Sequence, residues 1–264
     1  ESFLPATFAF LMTTLVYDGS FEGLMTAVFE VFEYRFKPVK IMSREHYAED
    51  FFSAFHEVIT DSEKADRVIK KLENDLGKSG VKQLLLVYLS ERPDSGNLIL
   101  SAVKQSVKNP EENILQNFAD ADIMEISKIC KSMGREIHRL HAFVRFEKLE
   151  DGTFFAKIEP DFNVLPVGFK FFKDRYADQK WMIYDLKRKF GIMYDLQHTE
   201  FLYPEAEQFS TLRNSELLHH EEEKKYQKLW QRYFTKTNIT ARKNMKLHVQ
   251  YVPKRYWKYL TEKF

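Results

Sequence analysis

Residues 120–158 have the sequence DADIMEISKICKSMGREIHRLHAFVRFEKLEDGTFFAKI, and the spacing of their apolar residues changes midway. In the first part, apolar residues recur every three or four positions: Ile123, Ile126, Ile129, Met133, Ile137 and Leu140. This spacing predicts a helix over 120–140. Apolar and polar residues then alternate over 142–147 and 154–158, on either side of Asp151-Gly152, which predicts a β-hairpin with a tight turn. A long helix followed by a hairpin indicates an α+β fold.

The flanking sequence extends this pattern in both directions. A strand is predicted over 13–17 and a helix after Ser20, whose hydroxyl caps it. Asp61 is the predicted cap of a second helix, which ends at Gly77. Further helices are predicted over 81–89, 97–107, 166–177, 214–236 and 240–250, and strands near 181–186 and 191–197. The sequence therefore predicts an α+β protein that is mainly helical, with a cluster of antiparallel β-hairpins in its second half.

The predicted domain organisation is simple. Residues 12–264 are expected to form a single α+β domain, and the turn-rich segment 78–96 is a candidate boundary between lobes. Residues 1–11 are interpreted as an N-terminal appendage, because Met12 is a candidate internal start. The almost uncharged segment 3–16 lacks a basic region and contains Pro5, so neither a signal peptide nor a membrane helix is predicted.

Composition excludes several classes of protein. The single cysteine excludes a disulfide framework and any multi-cysteine zinc or iron–sulfur site, so a cytoplasmic protein is expected. The sequence contains no Walker A loop, dinucleotide-binding glycine motif, nucleophile elbow or HExxH zinc motif. Its 40 basic and 39 acidic residues leave a net charge of only +1.

That net charge conceals two blocks of opposite sign. Residues 1–223 hold 28 basic and 38 acidic side chains, a net charge of −10, whereas residues 224–264 hold 12 basic residues and a single acid, Glu262, a net charge of +11. A basic block of this density is typical of a surface that binds a polyanion.

Aromatic residues are interleaved with the charges of the basic block. The interleaved set is Lys225, Tyr226, Lys228, Trp230, Arg232, Tyr233, Phe234, Lys254, Arg255, Tyr256, Trp257, Lys258 and Tyr259. Cations pair with phosphates and aromatic faces stack on bases, so this mixture suits single-stranded nucleic acid. The alternative is a structural tail whose aromatic residues dock on the acidic body of the protein.

A second group of candidate residues lies where the long helix meets the hairpin. Arg139 and Arg145 have the chemistry of phosphate clamps, and ordinary salt bridges are the alternative. His138 and His141 share a helix face, but no third metal ligand lies near them in the sequence.

Carboxylates form the third group of candidates. Asp161 and Asn163 lie in a proline-bounded turn, where they can bind a ligand or cap the next helix. Asp18 and Glu22 can hold Mg²⁺ or can cap the helix that begins beside them. No resident cofactor or metal is predicted.

Five ordered motifs resemble one protein family. They are YDGSFEGL at 17–24, ExHR at 136–139 followed by FVRF at 143–146, PDxNVLP at 160–166, RYADQxW at 175–181 followed by IxD at 183–185, and PKRYW at 253–257. As a set they resemble the bacterial DNA-metabolism proteins grouped as domain of unknown function 4130, in the stand-alone form.

The resemblance implies a role in DNA metabolism or DNA repair, without an assigned molecular activity. It implies a genomic association with a radical-SAM protein of DNA repair, and it supports Met12 as the start of the domain. It designates no catalytic residue. Relatives often have His at the position of Phe162, so chemistry that depends on such a His is not expected here.

Three hypotheses of function follow. The first is a DNA repair accessory protein that binds nucleic acid through Arg139, Arg145, Arg175, Trp230, Arg232, Lys254, Arg255 and Trp257. The second is an enzyme acting on nucleic acid or a nucleotide, in which Asp18, Glu22, Glu136, His138 and Asp161 converge on one pocket. The third is a scaffold for the radical-SAM partner. Whether the chain is catalytic, its strand preference and its oligomeric state stay open at this point.

Overall fold

A computed structural model describes residues 12–48, 54–204, 220, 222–237 and 245–263. Of the described residues, 53% are helical and 16% lie in strands, which confirms the predicted α+β class. The chain divides into two compact units, and the boundary falls between Met133 and Gly134. The segment 78–96 lies inside the first unit. The expected appendage, residues 1–11, lies outside the described residues.

A three-stranded parallel sheet forms the first part of the first unit. The central strand, β1 (Thr13–Tyr17), pairs with β2 (Val39–Ser43) on one side and with β3 (Ala54–Glu57) on the other. Parallel neighbours require a crossover, and α1 (Phe21–Glu33) supplies it between β1 and β2. The strand predicted at 13–17 is confirmed, whereas β2 and β3 were not predicted.

Helices complete the first unit: α2 (Ser62–Leu89), α3 (Ser95–Lys108), a short 3₁₀ turn (Ile114–Gln116) and the start of α4 (Ala121–Phe143). Both predicted caps are confirmed. The Ser20 hydroxyl accepts a hydrogen bond from the backbone N–H of Gly23 at 2.9 Å, and the Asp61 carboxylate accepts one from the N–H of Glu63 at 2.9 Å. Gly77 has a φ of 68°, so the helix is interrupted at the predicted residue and then resumes.

The long helix α4 extends further than the apolar spacing predicts. The prediction of a strand beginning at Ala142 is wrong, because α4 continues to Phe143 and the strand β4 comprises only Glu147–Lys148. The Arg145 guanidinium donates hydrogen bonds to the carbonyl oxygens of Ala142, at 2.9 Å, and Val144, at 3.2 Å. The bond to Ala142 satisfies a carbonyl group that the end of the helix would otherwise leave unpaired.

A five-stranded sheet forms the centre of the second unit. Its strands lie in chain order: β4 (Glu147–Lys148), β5 (Phe154–Ile158), β6 (Trp181–Asp185), β7 (Phe190–Tyr194) and β8 (Thr199–Leu202). Three of the four neighbouring pairs are antiparallel, and the pair β5–β6 is parallel, because α5 (Leu165–Arg175) connects these strands. Gly152 has a φ of 82° in the β4–β5 turn, as the Asp-Gly signal predicts.

The C-terminal part of the chain is helical. It contains α6 (Glu223–Thr237), α7 (Met245–Tyr251), the single turn α8 (Lys254–Trp257) and a 3₁₀ turn (Thr261–Lys263). The predicted helices over 214–236 and 240–250 overlap α6 and α7, and their remaining parts lie largely outside the described residues. Within the described ranges, no helix combines the length and the apolar character needed to cross a membrane.

Candidate functional site

One face of α6 attaches this helix to the rest of the second unit. The Glu223 carboxylate accepts a hydrogen bond from the backbone N–H of Lys148 at 3.0 Å, and Glu223 is buried. Two turns along the helix, the Gln231 side chain donates to the carbonyl oxygen of Thr261 at 3.0 Å. Gln227 lies between them and donates to Glu223 at 3.2 Å. These contacts, at intervals of four residues, define the inner face of α6.

A different face of α6 carries a stripe of exposed cations. Its members are Lys225, Lys228, Arg232 and Lys236. They are three or four residues apart, so their side chains line one side of the helix over about 16 Å. None of the four forms an ion pair with any described residue. We call these four residues the basic stripe.

Exposed aromatic side chains lie next to the basic stripe. Trp230 and Tyr233 stack with their ring centroids 5.7 Å apart and their planes 30° apart. Trp230 is 41% exposed and Tyr233 is 59% exposed, and Tyr226 lies one turn before Trp230 with an exposure of 54%. By helical spacing the rings lie between the basic stripe and the inner face, with Tyr233 nearer the stripe and Trp230 nearer the inner face.

Glu262 fixes the position of Trp230. One oxygen of its carboxylate accepts a hydrogen bond from the indole N–H of Trp230 at 3.0 Å, and the other accepts one from Arg145 at 2.9 Å. The Glu262 side chain is only 6% exposed. Burial opposes ionisation of this carboxyl, but the bonds from Arg145 and Trp230 outweigh it and hold its pKa below the ordinary value.

A second cluster surrounds Glu136 on α4. Its carboxylate accepts hydrogen bonds from the Tyr256 hydroxyl at 2.5 Å, from the Arg255 guanidinium at 2.6 Å and from the backbone N–H of Asp161 at 3.0 Å. The Glu136 side chain is 1% exposed. Arg139 adds a longer contact of 3.3 Å to the same carboxylate. We call this group the Glu136 cluster.

The electrostatics of the Glu136 cluster indicate an anchor. Burial opposes ionisation of Glu136, but the bonds from Tyr256, Asp161 and Arg255 outweigh it, so the pKa of this carboxyl lies below its ordinary value. Burial, together with the bond to Glu136, raises the pKa of the Tyr256 hydroxyl. An ionised carboxylate whose two oxygens are both engaged stabilises structure and is poorly suited to exchange protons with a substrate. The cluster therefore holds α8 against α4 and the loop at residues 160–161.

The structure separates the candidate catalytic residues into groups. Glu136 and Asp161 are brought together, since Arg255 contacts both carboxylates, at 2.6 and 2.9 Å. His138 is exposed on α4 and takes no part in the contacts of Glu136. No group of three His, Cys, Asp or Glu side chains in the described ranges is arranged to hold a metal ion.

The remaining two carboxylates lie in the first unit. Asp18 accepts hydrogen bonds from the backbone N–H of Ser20 at 2.8 Å and from the Thr60 hydroxyl at 2.9 Å. Burial opposes its ionisation, but a bond from the Ser20 hydroxyl at 2.7 Å, together with these two bonds, outweighs it and lowers the pKa of Asp18. Glu22 is exposed in the first turn of α1, where its negative charge interacts favourably with the helix dipole. The capping alternative describes both positions, since Asp18 is bonded beside the N-cap Ser20 and Glu22 lies in the first turn of α1.

The candidate nucleic-acid contacts fall into two classes. Arg175, Trp230, Arg232 and Lys254 are exposed, whereas Arg139, Arg145, Arg255 and Trp257 have partners within the second unit. Trp257 donates its indole N–H to the carbonyl oxygen of Val252 at 3.0 Å. The arginines of the second class are 27–30% exposed and contact Glu136 or Glu262.

Sequence reasoning missed the roles of Tyr256 and Glu262 as partners. A signal for Glu136 was available, because this residue lies three positions after Met133 and four before Leu140, on the buried face of α4. A glutamate on that face predicts a buried ionic contact. No local pattern identifies its partners, since Glu136 and Tyr256 are separated by 120 positions.

Comparison with known families identifies one relationship. Residues 93–262 match the sequence model of a family described as a domain of unknown function, DUF4130. No curated protein matches the chain. The match covers more than half of the sequence and includes Glu136, α6 and Glu262.

Proposed function

The chain belongs to the DUF4130 family, and from this premise we propose that it binds nucleic acid in a process of DNA metabolism or repair, with the exposed surface of α6 as its contact. The surface comprises the basic stripe and the neighbouring rings of Tyr226, Trp230 and Tyr233. The role in DNA metabolism rests on the resemblance of the five sequence motifs.

One observation carries the proposal: the basic stripe has no ion-pair partner among the described residues. Elsewhere in the second unit, several arginines lie against carboxylates, as Arg145 does at Glu262 and Arg255 at Glu136. Four aligned and uncompensated cations create a local positive potential that attracts a polyanion. The phosphates of nucleic acid have the repeating charge that such a stripe fits.

The catalytic alternative has weaker support. The Glu136 carboxylate is engaged by Tyr256, Arg255 and the backbone of Asp161, which leaves it poorly suited to transfer protons. We therefore propose a binding function for this chain, without assigning a bond that is made or broken.

The proposal is tested by fluorescence anisotropy with labelled oligonucleotides. If the four cations each contact a phosphate of a single strand, log K against log salt has a slope of about −3. The double variant Lys228→Ala/Arg232→Ala should bind about tenfold more weakly and should flatten the slope by about 1.4. The matched control is Lys70→Ala/Lys82→Ala, which removes two exposed lysines from α2 of the first unit.

The control separates a local interface from a general effect of net charge. We expect the control variant to bind like the unmodified protein, because its lysines are not part of the basic stripe. Equal losses in the two double variants, or no binding by the unmodified protein at 50 mM salt, would overturn the proposal.

A further inference from the structure

We infer that the α6 surface takes single-stranded nucleic acid, with the stacked pair Trp230 and Tyr233 as a platform for its bases. This inference rests on the proposed function and specifies its ligand. The basic stripe alone would suit any phosphate backbone, single or double. The aromatic pair on the same helix distinguishes the two, because aromatic faces stack on the open base faces of a single strand.

The exposure of the two rings is the first observation. Trp230 and Tyr233 are 41% and 59% exposed although their helix has a docked face built on Glu223 and Gln231. In a duplex the base faces are covered by their neighbours, and phosphates and groove edges are what a helix surface meets. In a single strand the faces are open, and stacking on an aromatic side chain replaces contact with water.

The arrangement of the two groups is the second observation. Tyr233 occurs at the same level along α6 as Arg232 and Lys236, about a quarter turn from the basic stripe, and Trp230 stacks on it from the side of the inner face. A strand that places its phosphates along the basic stripe can therefore turn a base towards Tyr233 and the ring stacked on it. Single-strand-binding proteins combine cations along the backbone with aromatic platforms in this way.

The fixed orientation of Trp230 is the third observation. Its indole N–H is bonded to Glu262, and Arg145 in turn holds Glu262. This bond restricts the orientation of the ring before a ligand arrives, which lowers the entropic cost of stacking a base on it.

Paired oligonucleotides test the inference: one fluorescein-labelled 20-mer, used as a single strand and as a duplex with its unlabelled complement. We expect the single strand to bind at least about tenfold more tightly at the same salt concentration. Trp230→Ala/Tyr233→Ala should weaken binding of the single strand by about tenfold or more per stacked base and leave the duplex affinity within about twofold. For this variant the slope of log K against log salt should equal that of the unmodified protein, because no cation is removed.

The controls separate ring chemistry from folding. Trp230→Phe/Tyr233→Phe keeps two aromatic faces and should retain most of the single-strand preference. Tyr203→Ala removes a ring that is 75% exposed near the edge of the sheet, and should have no effect on binding. Circular dichroism of each variant establishes that the fold is retained.

Tryptophan fluorescence supplies a second readout. Of the three tryptophans, Trp181 is fully buried and Trp257 donates to Val252, so Trp230 is the exposed reporter. A single strand that stacks on Trp230 should quench the emission, and Trp230→Phe should lose most of that quenching.

The outcomes distinguish the inference from the proposed function. The inference is overturned, and the proposed function stands, if single strand and duplex bind equally and Trp230→Ala/Tyr233→Ala keeps its affinity while Lys228→Ala/Arg232→Ala loses it. If neither oligonucleotide binds at low salt, both are overturned.

Discussion

Two regions of the C-terminal basic block differ in whether carboxylates lie against their cations. In the Glu136 cluster, Arg255 lies against a buried carboxylate and contacts the carboxylate of Asp161 as well. On α6, the basic stripe has no such partner among the described residues. The net charge of the block therefore does not predict what each cation does. The position of a few carboxylates decides which cations anchor the chain and which stay exposed to solvent.

The sequence offered two interpretations of this block, a surface suited to nucleic acid and a structural tail, and each describes a different part of it. The α8 turn packs on acidic groups, since Arg255 contacts Glu136 and Asp161 and Lys258 contacts Glu159. The outer surface of α6 keeps its cations and rings exposed. A segment anchored to carboxylates and an exposed surface of cations and rings thus coexist within 41 residues.

The largest effect is expected from removal of the central carboxylate of the anchor. Glu136→Ala leaves the Arg255 guanidinium and the Tyr256 hydroxyl without their buried partner, and should lower the free energy of unfolding by about 3 kcal/mol. Urea denaturation monitored by circular dichroism measures the change. Glu73→Ala, an exposed glutamate on α2, is the matched control and should change the free energy by less than about 0.5 kcal/mol. If Glu136→Ala lowered the free energy of unfolding by less than about 1 kcal/mol, the Glu136 cluster would not be an anchor and its contrast with the basic stripe would fail.

An intermediate effect is expected at Glu262, which joins Trp230 of α6 to Arg145 beyond the end of α4. Glu262→Ala frees the Trp230 indole and leaves Arg145 without its carboxylate, so the free energy of unfolding should fall by about 2 kcal/mol. Single-strand affinity should fall as well, because Trp230 is no longer oriented. Lys228→Ala is the contrasting variant, with weaker binding and unchanged stability. Unchanged single-strand affinity in a folded Glu262→Ala protein would contradict the positioning role.

The smallest effect is expected from pH. The pKa values of Glu136 and Glu262 are lowered in the folded protein, so both carboxylates stabilise it above the ordinary glutamate pKa of 4.5, and this contribution is lost as pH falls through their folded values. Thermal denaturation between pH 7 and pH 3 should show the loss below pH 4.5. Glu136→Gln should have a shallower dependence, because one titrating group is removed. Identical pH profiles for this variant and the unmodified protein would contradict the assigned pKa shift.

Local signals account for the elements that the sequence predicts correctly. Ser20 and Asp61 form caps because their side chains reach backbone N–H groups only two or three residues away. The Asp151-Gly152 turn needs a positive φ, and Gly152 adopts 82°. The α4 helix and the interleaved residues of α6 follow from spacings of three and four positions.

The failures lie where distant residues decide the conformation. The alternation after Ala142 predicts a strand, yet Arg145 turns back to cap α4 and Phe146 packs against Phe172, with ring centroids 5.9 Å apart. The parallel sheet of the first unit escaped prediction because its strands β2 and β3 lack a continuous apolar pattern.

The sequence by itself determines the α+β class, the capped helices, the hairpin turn and the separation of charge into an acidic body and a basic C-terminal block. These properties depend on neighbours within a few positions, or on composition. Only the tertiary structure decides that no carboxylate among the described residues pairs with the basic stripe and that Arg255 and Arg145 are paired. Their partners are 119 and 117 positions away, and the free energy of each ion depends on the carboxylates that folding brings to it and on the water that folding removes.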